Sequence, residues 1–172
     1  KEIDDAYHQT VIEVAQMHKL SKDDFQVAFT PIHGTSITAL PQVLKKAGYK
    51  NVHIVPEQEI PDGSFPTVSS PNPEEPQALQ MALVLAKEKN ADLVIGTDPD
   101  ADRFGIIIKD SKNKWNFLNG NQIMMILTEY LLNKNQSQGV LTPMHFIATT
   151  IVSTPAIEKM AMHFNIQFKK CL

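Results

Sequence analysis

Three short apolar runs, Val27-Ala28-Phe29, His53-Ile54-Val55 and Leu93-Val94-Ile95, each follow a stretch patterned for a helix. Short runs that are mostly apolar, as these are apart from His53, rather than alternating, suit strands covered on both faces. Strands reached one after another through helices pair in parallel, because only a crossover returns the chain in the same direction. The repeat therefore dictates an α/β chain: a three-layer α/β/α arrangement around a mostly parallel mixed sheet, followed by a second, truncated α/β unit.

The spacing fills in the connections. Ile3, Tyr7, Val11, Val14 and His18 recur at helical intervals and predict an amphipathic helix over 3–19 with one buried face. Ile32-His33-Gly34-Thr35-Ser36 reads as the loop between the first strand and a helix that stops at Gly48. Residues 56–76 hold six of the eleven prolines, too many for regular structure. At the end of that segment Asn72 suits a cap, Pro73 the first helical position and Glu75 a capping box, so a helix is expected over about 74–89. Its Leu79, Ala82, Leu83 and Ala86 form the packing face. Residues 104–108 and 115–118 form a hairpin through Asp110-Ser111-Lys112-Asn113. A new cycle follows: a helix over 121–132, a strand over 146–152, a helix opened by Thr154-Pro155 and a strand over 166–168. Met124, Met125, Ile126 and Leu127 are expected in the core. The boundary falls near residue 112, giving units 1–112 and 113–172.

With 42% hydrophobic and 20% charged residues the chain has the composition of a globular protein. A net charge of −3 lacks the basic surplus that neutralises nucleic-acid phosphates. No apolar run reaches the roughly 20 residues that span a bilayer, and the first residues resemble no export signal. A soluble, cytoplasmic protein with neither nucleic acid nor membrane as partner is expected. The one cysteine, Cys171, permits no internal disulfide and fits a reducing compartment. The sequence starts at Lys1 without methionine and stops at Leu172 just after an apolar stretch, as an excised segment would.

The chemistry concentrates after the third strand, in Gly96-Thr97-Asp98-Pro99-Asp100-Ala101-Asp102-Arg103. In extended backbone, alternate side chains share a side, so Asp98, Asp100 and Asp102 are expected to converge on one point. Three such charges repel unless a divalent cation sits between them. Hard oxygen ligands without histidine or cysteine favour magnesium or manganese over zinc. Pro99 fixes one backbone angle, and the guanidinium of Arg103 suits a phosphate beside the ion. An EF-hand is excluded, because Arg103 and Lys109 stand where its glycine and bidentate glutamate belong. An aspartyl-phosphate phosphatase, with Asp98 as nucleophile and Asp100 as acid and base, is a second reading. A noncatalytic phosphosugar- or metal-binding module is a third. His33, on a loop at the carboxyl end of a parallel strand, either faces a cleft as a substrate-binding group or packs while Gly34 turns and Thr35 or Ser36 caps the helix. The other five histidines show no metal-ligand spacing.

Thr30-Pro31-Ile32-His33-Gly34-Thr35, Phe65-Pro66-Thr67, Pro71-Asn72-Pro73-Glu74-Glu75-Pro76-Gln77-Ala78-Leu79 and Asp98-Pro99-Asp100-Ala101-Asp102-Arg103 together resemble the middle of an α-D-phosphohexomutase. The closest branch is the long-chain phosphoglucomutases and phosphomannomutases. Leu118-Asn119-Gly120-Asn121-Gln122 resembles the start of that family's third domain, so the match covers nearly the whole chain. The resemblance implies four domains around one cleft, carrying in turn a phosphorylated serine, the metal loop, a sugar-reading loop and a phosphate-binding loop. Residues 1–112 would be the second domain and 113–172 part of the third. By the same resemblance Asp98, Asp100 and Asp102 bind magnesium, completed by the phosphoserine, and Arg103 is the catalytic group that helps hold that phosphate. The parent enzyme would interconvert hexose 1-phosphate and hexose 6-phosphate through a bisphosphate, with glucose 1,6-bisphosphate as activator. The family's Thr-Ala-Ser-His-Asn-Pro and Gly-Glu-Glu loops are missing here. A fragment without mutase activity of its own is therefore expected, dependent on the missing domains of the same parent chain. Ser70-Pro71-Asn72-Pro73 echoes the phosphoserine loop but resembles a different family segment, so Ser70 is not a candidate.

Overall fold

In the computed structural model, which describes residues 2–15 and 22–172, the three apolar runs become the parallel part of one sheet. Strand β1 (Gln26–Thr30) lies between β2 (Asn51–Ile54) and β3 (Leu93–Thr97), with Val27 level with both Val52 and Leu93. The chain then folds back through β4 (Phe104–Lys109) and β5 (Trp115–Leu118), which pair antiparallel, giving the order β2-β1-β3-β4-β5. This is the mixed, helix-flanked α/β sheet expected from the sequence.

Side chains alternate across a sheet, so neighbouring residues serve opposite faces. Val94 and Ile107 join Ala28 in a core with Ala82 and Ala86 of α3 (Gln80–Glu88) and with Leu79 just before it. Ile95 and Ile106 line the other face, beside Leu40 and Val43 of α2 (Leu40–Lys46) and Tyr7 and Val11 of α1 (Glu2–Val14). Leu79 is fully buried, and two glycines make room for it. A Cβ at Gly96 would lie 2.1 Å from Leu79 Cδ2, and one at Gly105 would lie 3.1 Å from Leu79 Cδ1.

Two helices differ from the expectation. Helix α1 does not bury its apolar stripe: Ile3, Tyr7 and Val14 are exposed. It is held through a polar side instead, where Lys46 of α2 pairs with Asp5 and donates to Nδ1 of the buried His8. His18 and the end of the expected 3–19 helix lie outside the described residues. Helix α3 starts at Gln80 rather than near 74. Pro76 has no N–H and cannot donate back to Asn72, so the first α-helical bond is unavailable. Residues 75–80 turn through tighter bonds, including Glu75 N–H to Asn72 O at 3.0 Å and Ala78 N–H to Glu75 O at 3.0 Å.

The chain divides into two compact units, Lys1–Leu118 and Asn119–Leu172. Because β5 is hydrogen-bonded to β4, the first unit runs a few residues past 112. In the second, α4 (Gly120–Ser137) opens on a capping box in which Asn119 Oδ1 accepts from Gln122 N–H and Gln122 Oε1 from Asn119 N–H. Strands β6 (Phe146–Thr150) and β7 (Gln167–Cys171) pair in parallel around α5 (Ala156–His163). Leu132, Ala161, Phe164 and Ile166 form the core of this unit. Ile126 and Leu127 are exposed, not core; the buried residues of α4 are Ile123 and Leu132. Among the described residues no helix is long and apolar enough to cross a membrane.

Candidate metal centre

Strand β3 ends at the buried Thr97, and β4 begins at Phe104 in the opposite direction. Residues 98–103 must reverse the chain. Ala101 N–H donates to Asp98 O at 3.1 Å, with Pro99 at the second position of the turn, where its fixed φ is suited. Ala101 then takes a left-handed conformation, φ +63°. Asp98 N–H donates to Arg103 O at 3.3 Å and closes the loop.

The three carboxylates do converge: Asp98, Asp100 and Asp102 each offer an oxygen within 4.8 Å of the others. The cause is this tight reversal and not the alternation of an extended segment. Two of the three side chains are exposed, whereas Asp98 is 1% exposed. Arg103 donates to both oxygens of Asp98, from its N–H to Oδ1 at 2.9 Å and from Nε to Oδ2 at 2.8 Å. Burial works to raise the Asp98 pKa, but these hydrogen bonds outweigh it and hold the carboxyl below its ordinary value. Asp102 is pushed up, by its hydrogen bond with Asp98 and then by the charges of Asp100 and Asp98. One ionised, buried carboxylate thus faces two exposed ones in a cluster with excess negative charge. A cluster of oxygen donors alone, with no nitrogen or sulfur, favours a hard divalent cation over a soft one. The guanidinium of Arg103, half-exposed, also lies 3.6 Å from Asp102 Oδ1 and reaches Asn72 Oδ1 at 3.4 Å.

The loop is braced from two sides. Thr35 donates twice to the Pro99 carbonyl, from N–H at 2.8 Å and from Oγ1 at 3.1 Å. Ser36 Oγ and Thr97 Oγ1 share a buried hydrogen bond of 2.6 Å. Neither Thr35 nor Ser36 caps the following helix with its side chain; both serve the aspartate loop. On the other side the carbonyl of Pro73 sits against Gly105, where a Cβ would lie 2.1 Å from it. That close approach brings Asn72 to Arg103. In sequence Asn72 reads as a helix cap and Gly34 as a turn residue, and only their nearness to a chemically loaded loop in space gives them this second role.

His33 is brought close to the loop but not into it. It is buried, its Nδ1 lies 3.1 Å from the Ile60 carbonyl, and its Nε2 lies 2.9 Å from Thr67 Oγ1. Both ring nitrogens are therefore engaged by the protein. Asp98 is likewise poorly disposed as a nucleophile, since it is buried and both its oxygens accept from Arg103.

Residues 5–112 match the family model described as phosphoglucomutase/phosphomannomutase, alpha/beta/alpha domain II. Over 172 residues the chain is 38% identical to the "Probable phosphomannomutase" of Haemophilus influenzae, covering 99% of this chain and 34% of that protein. It is 39% identical over 142 residues to the phosphomannomutase of Mycoplasmoides pirum, covering 83% and 25%. It is 36% identical over 153 residues to the phosphoglucomutase of Staphylococcus aureus MRSA252, covering 89% and 27%. The chain thus spans a quarter to a third of the length of these curated relatives. Among solved structures it is similar to a phosphoglucomutase/phosphomannomutase family protein from Burkholderia thailandensis, with TM-score 0.72, 20% identity and coverage of 98% and 32%. It is also similar to the Aspergillus fumigatus N-acetylphosphoglucosamine mutase in complex with GlcNAc-6P and magnesium, with TM-score 0.60, 12% identity and coverage of 97% and 32%. At these identities the two structures speak to the fold alone.

Proposed function

The chain belongs to the phosphoglucomutase/phosphomannomutase family, and from that premise we propose that it is the metal-loop domain of such an enzyme, followed by part of the third domain. The parent interconverts hexose 1-phosphate and hexose 6-phosphate through a phosphoserine and a sugar bisphosphate, with glucose 1,6-bisphosphate as activator. Asp98, Asp100 and Asp102 hold magnesium, for which manganese can substitute. The observation that carries this reading is the convergence of the three carboxylates within 4.8 Å at the carboxyl end of β3, the side on which α/β sheets bind ligands. The magnesium complex of the Aspergillus mutase is consistent with it.

Bound there, the ion neutralises the carboxylates and offers open positions to a phosphoryl oxygen. The rest is the work of the chain itself. Arg103 keeps Asp98 ionised by hydrogen-bonding both its oxygens. It does so with its backbone N–H and Nε, and Nη1 meets Asn72 Oδ1 at 3.4 Å, so the remaining N–H groups of the half-exposed guanidinium are left for a phosphate. The turn at Pro99 fixes the spacing between Asp98 and Asp100, which spares the ion from having to order the loop. The serine belongs to another domain of the parent and the sugar-reading loop to the part of the third domain outside this segment, so this segment alone turns nothing over.

The test pairs the chain with its parent in glucose 1-phosphate, a trace of glucose 1,6-bisphosphate and magnesium, following glucose 6-phosphate and free phosphate. The parent should isomerise the sugar, Asp100→Asn in the parent should stop it, and the 172-residue chain should do neither reaction. Phosphate release by the chain alone, lost in Asp98→Asn, would replace this reading with the aspartyl-phosphatase one.

A further inference from the structure

We infer that Thr30, Gln58 and His33 are positioning residues for the aspartate loop: a hydrogen-bonded chain anchored in the proline-rich segment holds the β1–α2 connection against Pro99. The connection needs holding. Ile32 and His33 are consecutive left-handed residues, φ +45° and +59°, a conformation that costs any residue with a Cβ and a β-branched isoleucine most of all. Each is pinned by this chain of bonds. Ile32 N–H donates to Thr30 Oγ1 at 3.0 Å, and Thr30 Oγ1 donates to Gln58 Oε1 at 2.6 Å. Gln58 Nε2 donates to Thr67 Oγ1 at 2.9 Å, and Thr67 Oγ1 also meets His33 Nε2. The His33 backbone is tied at both ends, its N–H to Gln58 O at 3.0 Å and its carbonyl to Asp62 N–H at 3.1 Å. Thr30 and Gln58 are fully buried and His33 nearly so. Thr67, which joins Gln58 to His33, is exposed, so the network is buried at Thr30, Gln58 and His33 and closes at the surface; side chains linked in this way favour one backbone path.

That path leads directly to the aspartates. The two left-handed residues deliver Gly34, whose absent Cβ would lie 2.5 Å from Pro99 Cα, and then Thr35 with its two bonds to the Pro99 carbonyl. Residues 56–67, which touch none of the three carboxylates, in this way set where Pro99 sits between Asp98 and Asp100. The sequence signal lies in the Thr30-Pro31-Ile32-His33-Gly34-Thr35 and Phe65-Pro66-Thr67 segments, where His33 reads either as a substrate-binding group or as a packed residue and nothing ties it to the aspartate loop.

The consequence for ion binding rests on the metal reading above, but the positioning itself is measurable without metal. Thr30→Val removes the hydroxyl and nearly keeps the shape; Thr30→Ser keeps the hydroxyl. In amide hydrogen exchange of the metal-free chain, Thr30→Val should speed Thr35, Asp98, Ala101 and Arg103 by about two- to tenfold, what one lost hydrogen bond corresponds to. The central amides of β1 and β3 should hold, and Thr30→Ser should restore the loop. Gln58→Met, which breaks the chain elsewhere, should copy Thr30→Val. Unchanged loop exchange in both broken variants overturns the inference. So does acceleration everywhere at once in either variant, because the network would then only stabilise the fold. A parallel manganese titration by electron paramagnetic resonance separates the two claims. Run on the parent enzyme, which supplies the remaining ligands, failure of the unsubstituted protein to bind, with Asp100→Asn no different, removes the metal reading and leaves the exchange result to judge the brace.

Discussion

Gly34→Ala should disable the aspartate loop without touching an aspartate. Gly34 has φ −100° and ψ −174°, open to any residue, so the added methyl brings no backbone strain and its effect is contact alone. The new Cβ would lie 2.5 Å from Pro99 Cα, 2.7 Å from Pro99 O and 2.8 Å from Pro31 O. All three neighbours are backbone and none can swing away. Carbon atoms rest about 3.5–4.0 Å apart, so Pro99 must retreat by about 1 Å. That retreat stretches both Thr35 bonds to the Pro99 carbonyl, now 2.8 and 3.1 Å, beyond useful length. Overpacking costs about 1–3 kcal/mol, and each hydrogen bond about 0.5–1.5 kcal/mol. The stiffer unfolded chain returns about 0.4–1 kcal/mol. A net loss of roughly 2–4 kcal/mol follows. Trp115, the chain's one tryptophan, packs against the core of the first unit, so its fluorescence in urea reports that unit. The midpoint should fall with the slope unchanged, and manganese affinity should fall with it. A midpoint within about 0.5 kcal/mol of the parent sequence, the range of an ordinary surface substitution, would refute the argument that Gly34 is glycine because Pro99 lies against it.

Three further substitutions read other parts of the structure. Leu79→Ala empties the socket between Gly96 and Gly105 and should cost about 2–5 kcal/mol in the Trp115 transition; a loss under about 1 kcal/mol would mean that the leucine is not the plug. Asp98→Asn tests the charge of the buried ligand. Its folded pKa lies below 3.8, because the Arg103 hydrogen bonds outweigh burial, so ionised Asp98 stabilises the fold above 3.8 and that contribution is lost as pH falls through the lowered value. The stability gap between Asp98→Asn and the original should be full at pH 7 and shrink on acidification; a gap that widens would contradict the sign. Asn119→Ala removes the box that opens α4 and should cost the second unit about 1 kcal/mol, seen as lost helical circular dichroism while the Trp115 transition stays put.

The parallel sheet was legible because its signal is local and redundant: 27–29 and 93–95 are apolar throughout, 53–55 is apolar but for His53, and helical spacing separates them. The misreadings fell where a single residue overrode a pattern. Pro76 cancels a helix start that Asn72, Pro73 and Glu75 all advertise, since a missing N–H outranks three favourable side chains. In α1 the apolar stripe of Ile3, Tyr7 and Val14 implied a buried face, but Asp5, His8 and Lys46 decide which side meets α2. Periodicity reports that a face is apolar, not that this chain covers it. Ile126 and Leu127 repeat the point in α4, where Ile123 and Leu132 take the core.

The candidate site shows a different limit. Its three ligands could be named from residue type and spacing, yet the expected reason, alternation along an extended segment, is not how they meet. Alternation would put consecutive aspartates nearly 7 Å apart along the chain and hold them there by pairing, whereas residues 98–103 have to reverse direction between Thr97 and Phe104. The reversal draws the carboxylates together through the Asp98–Ala101 turn and a left-handed Ala101, and it leaves the loop without a ladder to fix it. The fixing comes from Thr35, Ser36 and Asn72, distant in sequence and individually unremarkable. A ligand set is therefore written in one octapeptide, while its rigidity is distributed over residues that only the folded sheet brings beside it. Substitutions at those supports should separate loop order from ligand identity in a way that no change at Asp98, Asp100 or Asp102 can.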